Sequence, residues 1–336
     1  MSDFGRLLNA GIDVDGPGGL IQFDRQVMFN QGAFTNIGTG KCFFLDYANG
    51  SDSNAGKTPT QAVKTLTRAQ AIMTANQNDT LYIIDNGTAV TEATQFTWSK
   101  DGCNIIGVGG LKGVINKGVT ITFTNATAGG QFILSADKCM IVNIQFNHTP
   151  SNATGVVSVK VTGDYNTFID TQFLNANNAA SAGAAGYLGL SLDGCNYPSF
   201  IRCTVGGTIT LRTVSAADLT IGAGTILGLS MVDCIFIADL DATADANHAF
   251  IEVIADADLG DLVLLDRCTF INAGALAAVP DAITVGATAT GFILLRDPLL
   301  VYITDIADNE EKVWVSSYRD TTPDKFEGIA VNTDVT

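Results

Sequence analysis

The sequence predicts an all-β chain wound as a single-stranded parallel β-helix, with a helix closing its first end. Three observations predict this. Pairs of short apolar strands recur with a period near 30 residues. Asp-containing turns repeat in register with them, and an amphipathic helix pattern precedes the first repeat. A period of 20–50 residues marks a solenoid, in which each unit buries its apolar face only by stacking on its neighbours.

The first segment, 1–40, stands outside the repeat. It mixes Gly with apolar residues and lacks the period of a helix or a strand. Leu20, Phe23, Val27, Met28, Phe29 and Phe34 have no repeat to bury them there, so 1–40 is read as a docking arm and these six as its partner-binding residues. A strap along its own solenoid is the rival reading.

The next stretch, FFLDYANGSDSNAGKTPTQAVKTLTRAQAIM (43–73), runs from an apolar strand through an Asn/Gly/Asp/Ser loop into a helix pattern. Thr58 stands at an N-cap position and Pro59 at the first helical position. Val63, Leu66, Ala69 and Ile72 share one face. A capping helix near 57–76 is therefore expected, because an uncovered solenoid end exposes core and strand edges. The oxygens of Asp46, Asn49, Asp52 and Asn54 suit calcium, but a loop hydrogen-bonded to itself is preferred.

The β-helix domain is assigned to 41–300. Its strand pairs read QFILS with MIVNIQF (131–146), VVSVKV with TFIDTQF (156–173), YLGLSL with SFIRCTV (187–205) and TITLRT with LSMVDCIF (208–236). FIEVIA with LVLLDRCTF (250–270) and AITVGA with FILLRD (282–297) complete the series. Turns recur as Asp101-Gly-Cys103-Asn104, Asp137-Lys-Cys139, Asp164-Tyr-Asn166 and Asp193-Gly-Cys195-Asn196. Cys203, Cys234 and Cys268 each lie two residues before Val205, Phe236 and Phe270. Like residues at like places stack about 4.8 Å apart and build ladders, with cysteine acting as a small hydrophobe. Long loops at 174–186, 238–247 and 271–281 all follow a second strand, so they emerge along one edge. An antiparallel sandwich would need short hairpins and clean alternation, which are missing. The segment 301–336 leaves the repeat and is read as a closing or contact segment.

Composition limits the function. With 46% hydrophobic and 15% charged residues the chain is far too apolar for disorder. A net charge of −16 argues against nucleic acid, and no apolar run reaches the ~20 residues of a membrane helix. No secretory signal pattern opens the sequence. Seven cysteines and no signal argue against a disulfide framework, and two histidines without a C-x-x-C argue against structural zinc. No cofactor is expected.

The stretch FFLDYANGSDSNAGKTPTQAVKTLTRA resembles the N-terminal strand, loop and capping helix of right-handed parallel β-helix proteins of the pectin-lyase-like superfamily. That motif recurs in phage tailspikes, other phage structural proteins and polysaccharide-cleaving enzymes. The resemblance implies a right-handed coil and a homotrimer with helices side by side. Of the catalytic motifs of the enzymes, Asp-Asp, Gly-His-Gly and Arg-Ile-Lys are missing, and Asn-Thr-Asp occurs only at 332–334, outside the repeat. Asp170, Asp233 and Asp266, with Arg202 and Arg267 nearby, form a conceivable carboxylate cluster, but a solvated strand face is preferred. The acidic run Asp239, Asp241, Asp245, Glu252, Asp256, Asp258 and Asp261, with His248, is read as solvated loops in preference to a metal site.

The expectation is a bacteriophage virion protein, not an enzyme: a capsid decoration protein that is assembled in the host cytoplasm and attaches to the major capsid protein or another virion protein. The alternative is a tailspike, receptor-binding protein or depolymerase acting on host surface glycan. A secreted bacterial carbohydrate-active enzyme stands third.

Overall fold

The computed structural model describes residues 40–86, 90–109, 118–125, 129–149, 157–174, 187–212, 217–222, 224–240, 248–274, 279–309 and 311–316, with short strands at Ile12–Asp13, Gln22–Phe23 and Ala330–Val331. The chain divides into two compact units, Met1–Thr39 and Gly40–Thr336. In the first, Ile12–Asp13 pairs antiparallel with Gln22–Phe23. The side chains of Leu20, Phe23, Val27, Met28, Phe29 and Phe34 lie outside the described residues.

The second unit is a right-handed parallel β-helix. Among the described residues sheet 1 has eleven strands, from Cys42–Leu45 to Val313–Ser316 plus Ala330–Val331, and sheets 2 and 3 have eight each. Each coil visits them in the same order, as in Met140–Val142, Ile144–His148 and Val157–Val161. Each strand then pairs in parallel with its counterpart one coil on. The coil therefore has three strands where the sequence reading had two. The expected second strand breaks at one residue with positive φ, and this recurs at Asn143, Asp170, Arg202, Asp233, Arg267 and Asp297. Their amides donate to carbonyls of the following coil, as in Asp170 N to Ile201 O at 3.0 Å. Left-handed backbone at non-glycine residues is uncommon, and here it makes the bend between sheets 1 and 2.

A second column of positive φ turns sheet 3 back to sheet 1 through Gly102, Lys138, Tyr165, Tyr197 and Gly228, with Asn76 at its head between the capping helix and Thr80–Ile84. Beside it runs a carboxylate ladder. Asp101 Oδ1 accepts the Asp137 amide at 3.0 Å, Asp137 Oδ1 the Asp164 amide at 2.8 Å and Asp164 Oδ1 the Asn196 amide at 2.7 Å. The repeating aspartates are thus turn chemistry. The fourth place belongs to Asn196, however, and not to Asp193, which pairs with Lys160 at 2.5 Å. Cys195 accordingly leaves the register of Cys103 and Cys139. TITLRT was also misplaced: it extends the sheet 2 strand Thr204–Arg212, and Ala217–Ile221 supplies that coil's sheet 3 strand. Both segments alternate like strands, and only pairing of Leu219 with Leu190 and Ile251 selects the later one.

Inside the coil, Phe146 pairs with Phe173, Phe173 with Val205, Val205 with Phe236 and Phe236 with Phe270. Phe168 and Phe200 stack with centroids 4.9 Å apart. Each fully buried ring contributes roughly 2–3 kcal/mol of transfer free energy. Cys203, Cys234 and Cys268 are buried free thiols whose Sγ–H groups point at Phe168, Phe200 and Met231 carbonyls. Burial pushes the Cys139 and Cys195 thiols up to about 12.

The predicted capping helix is split. Pro59–Gln61 is a 3₁₀ turn, Val63 bridges to Leu45, and the α-helix spans only Leu66–Ile72. Its N-cap is Thr65, whose Oγ1 accepts the Arg68 amide at 3.1 Å, while Thr58 makes no side-chain cap. The predicted face holds: Val63, Leu66 and Ala69 are buried, with Ile72 packed against the core. Gly56 has a φ of +71°, and a Cβ there would meet Ile72 Cδ1 at 2.6 Å. At the other end parallel pairing continues through 301–316, and Ala330–Val331 then adds antiparallel to Val313–Ser316.

Candidate functional site

The bend between sheets 1 and 2 carries the acids singled out in the sequence. Arg202 donates Nε and Nη2 to Asp170 at 2.9 and 2.7 Å. Arg267 grips Asp233 with Nε at 2.7 Å and Nη2 at 3.2 Å, and donates Nη1 to Asp266 at 2.8 Å. Arg296 closes on Asp266 with Nε at 2.6 Å and Nη2. The column along the bend reads Asp170, Arg202, Asp233, Arg267, Asp297, alternating in sign at each coil. The Asp170 carboxylate holds Arg202 above its ordinary pKa, and Asp233 does the same for Arg267. Arg296, outweighing burial and aided by Arg267, holds Asp266 below the usual carboxylate range. A general acid needs a raised pKa, and Asp266 is shifted the other way.

A second constellation lies at the junction of sheets 2 and 3. Arg212 and Asp218 are buried and joined at 2.7 Å, with Arg212 Nη2 donating to Tyr187 O at 3.1 Å. His248 Nε2 is 3.4 Å from Asp218 Oδ2. Tyr187 Oη lies 3.1 Å from His148 Nδ1, and the two rings stack at 5.7 Å. Burial lowers the His148 pKa to about 4. Sequence reasoning missed this group: Arg212 and Asp218 meet across the corner of one coil, and Tyr187, His148 and His248 join them from neighbouring coils.

A third group is Asp281 and Asp305, directly paired in register on adjacent strands of sheet 3. Burial, then the charges of Asp308 and Asp305, raise the Asp281 pKa. The register sets the two residues side by side on strands about 4.8 Å apart, and a retaining hydrolase uses two carboxyl groups about 5 Å apart, one of them raised. Asp305 Oδ1 accepts the Ile306 amide at 2.6 Å and Asp308 Oδ1 the Val285 amide at 2.8 Å.

The other sequence candidates are dispersed. Of the acidic run, Asp241 and Asp245 lie outside the described residues. Asp258 accepts the Thr225 and Thr290 hydroxyls from flanking coils, Asp261 accepts the Tyr197 hydroxyl, and His248 sits with Asp218. Among the described residues no group of three His, Cys, Asp or Glu is placed to hold a metal. In the opening loop Asp46 Oδ1 accepts the Ala48 and Asn49 amides and Asn86 Nδ2. Asp52 accepts the Lys64 and Thr65 amides, and Asn54 Nδ2 donates to Ala62 O. The loop oxygens face N–H donors, the self-bonded arrangement preferred from sequence.

No family model and no curated protein matches the chain. Solved structures do. The pectate lyase Pel9A superposes with a TM-score of 0.52 at 15% identity over 77% of this chain, which spans 63% of that lyase's length. A pectin methylesterase in complex with a hexasaccharide gives 0.53 at 12% identity, covering 82% of this chain and 88% of that one. The pectin methylesterase PemA of Erwinia chrysanthemi gives 0.51 at 11%, covering 79% and 80%. At such identities the likeness is one of fold, and function does not follow from it. The chain shares the right-handed parallel β-helix architecture of pectate lyase and pectin methylesterase.

Proposed function

We propose that this protein is a non-catalytic structural component of a bacteriophage particle, a stiff acidic body attached through its 1–40 arm to the major capsid protein or another virion protein. The observation that carries the non-catalytic reading is the arginine grip on Asp170, Asp233 and Asp266. These acids, singled out from the sequence, tie successive coils together through their arginine partners. The particle assignment is supported by the 43–69 motif and its resemblance to phage β-helix proteins. Adding purified protein to particles that lack it, followed by sedimentation, tests attachment. Full-length protein is expected in the pellet and a 1–36 deletion in the supernatant. Equal co-sedimentation of the deletion variant would move the anchor elsewhere.

The depolymerase reading keeps one specific observation, the Asp281–Asp305 pair with its raised carboxyl. Incubation with host capsule or lipopolysaccharide, read by reducing ends and by unsaturated products, separates the two readings. Oligosaccharide release that disappears in Asp281→Asn and Asp305→Asn would establish the enzyme.

A further inference from the structure

Charge is spread unevenly along the solenoid. Residues 40–80, which form the first strand, the opening loop and the capping helix, hold four Lys/Arg against three Asp, a net +1. Residues 81–316 hold ten Lys/Arg against 23 Asp/Glu, a net −13. Each coil advances the chain by about 4.8 Å, so this is a difference between one end of the body and its wall.

The partners of these groups sharpen the difference. All three carboxylates of the cap are engaged by backbone amides. Asp46 Oδ1 accepts from Ala48 and Asn49 at 2.9 Å each, and Asp52 Oδ1 from Lys64 and Thr65 at 2.9 and 3.0 Å. Asp79 accepts from Lys41 and Thr74 at 2.8 Å each. The cap's cations are not engaged in the same way. In the wall, Lys160, Arg202, Arg212, Arg267 and Arg296 each pair with an aspartate. Among the described residues Lys41, Lys57, Lys64 and Arg68 form no ion pair, and the three lysines are exposed. No large apolar side chain is exposed within 40–80, so what this face offers a partner is positive charge.

The same face is where the body is tethered. The 1–39 unit joins it at Gly40, next to Lys41. Phe34, the last of the six apolar arm residues, stands six residues earlier, at most about 20 Å of extended chain. A protein that holds the arm is thereby kept at high local concentration near the cap. We infer that the cap end, through Lys41, Lys57 and Lys64, docks on an acidic face of the protein that the arm grips. The inference rests on the attachment reading and adds the partner's chemistry and the body's orientation to it. An acidic partner repels the wall and attracts the cap, so the charge pattern selects an end-on approach. The apolar arm supplies affinity, and the charged cap supplies orientation and speed of encounter. A bounded protein face suits this end better than an extended polyanion, which would run on along the acidic wall.

Co-sedimentation of the full chain with particles that lack it, titrated at low and high salt, tests this. Lys57→Glu/Lys64→Glu reverses the face at two exposed side chains. It is expected to weaken attachment by about tenfold or more at about 50 mM salt, and by much less at about 300 mM, where screening is strong. Lys57→Gln/Lys64→Gln is expected to fall between it and wild type. Lys138→Glu/Lys312→Glu makes the same change in net charge away from the cap and is expected to bind as wild type does. Wild-type protein left in the supernatant would sink the attachment reading and this inference with it. Wild type in the pellet with both cap variants bound equally well would sink the inference alone, and so would an equal loss in the Lys138/Lys312 variant. Retention of wild type on heparin at about 50 mM salt, lost in the cap variants, would make an extended polyanion the partner of this face and overturn the proposal.

Discussion

Arg212 and Asp218, with side chains 1% and 0% exposed, allow a test of what a buried ion pair does in a solenoid. Arg212→Met removes the cation and leaves Asp218 buried beside His248. Breaking one side of a buried pair is strongly destabilising, by about 3–5 kcal/mol, because an uncompensated charge stays inside. The Tyr187 carbonyl also loses the donor at 3.1 Å, adding about 1 kcal/mol. Asp218→Leu is expected to destabilise by a similar amount. Combining them removes both charges and keeps the volume, so Arg212→Met/Asp218→Leu is expected within about 1 kcal/mol of wild type, or above it. The coupling energy between the two changes is then several kcal/mol. Urea unfolding followed by far-ultraviolet circular dichroism reads this out. With a slope near 3 kcal/mol/M, each single variant shifts the midpoint down by about 1–2 M. A double variant as unstable as the singles would show that the pair organises the junction and is more than a matched burial of opposite charges. Single variants that lose less than about 1 kcal/mol would mean that water reaches the pair, refuting the burial on which the reasoning rests.

His148, whose folded pKa is lowered to about 4 from 6.5, resists the proton that the unfolded chain takes up. Its neutral form stabilises the fold fully above pH 6.5, and up to about 3 kcal/mol is lost as pH falls from 6.5 to 4. His148→Gln should flatten that limb of the stability profile, and an unchanged limb would reassign it. Gly228→Ala combines a φ of +59° with a Cβ 2.4 Å from the Tyr197 ring. It should destabilise by about 1–3 kcal/mol and change tyrosine fluorescence; a neutral result would contradict that packing. The buried free thiols should react slowly in native protein, and titration in denaturant without reductant should count seven, a lower count indicating disulfides.

The parallel coil was legible because its signals are periodic. Phe146, Phe173, Val205, Phe236 and Phe270 fall in one file whether counted in sequence or in register. The third strand of each coil was hidden. The bend consists of one residue, Asn143, Asp170, Arg202, Asp233, Arg267 or Asp297, and only the last of these has a proline, Pro298, beside it. Those lone polar residues were visible, but they read as outward positions of an unbroken strand. Arginine at positive φ is an uncommon choice, and its pairing with aspartate one coil away is what makes it intelligible. Cys195 misled because Asp-Gly-Cys-Asn repeats a real motif one turn too early, and only the Asp164 bond to Asn196 fixes the register. The Asp281–Asp305 pair joins residues brought together by coil stacking, while Arg212 meets Asp218 six residues on, across the corner between sheets 2 and 3 of one coil, and neither pairing shows as a strand or helix pattern.

The reversed strand at the far end governs whether the molecule stays finite. Each parallel coil offers the next an identical row of donors and acceptors, so the repeat contains no instruction to stop. Ala330–Val331 lies antiparallel on Val313–Ser316, and its hydrogen-bonding rhythm does not match an incoming parallel coil. On sheet 1, addition of a parallel coil is thereby hindered at this end. A chain shortened before residue 330 would present an unblocked template, and fibres built by head-to-tail stacking would be its characteristic failure.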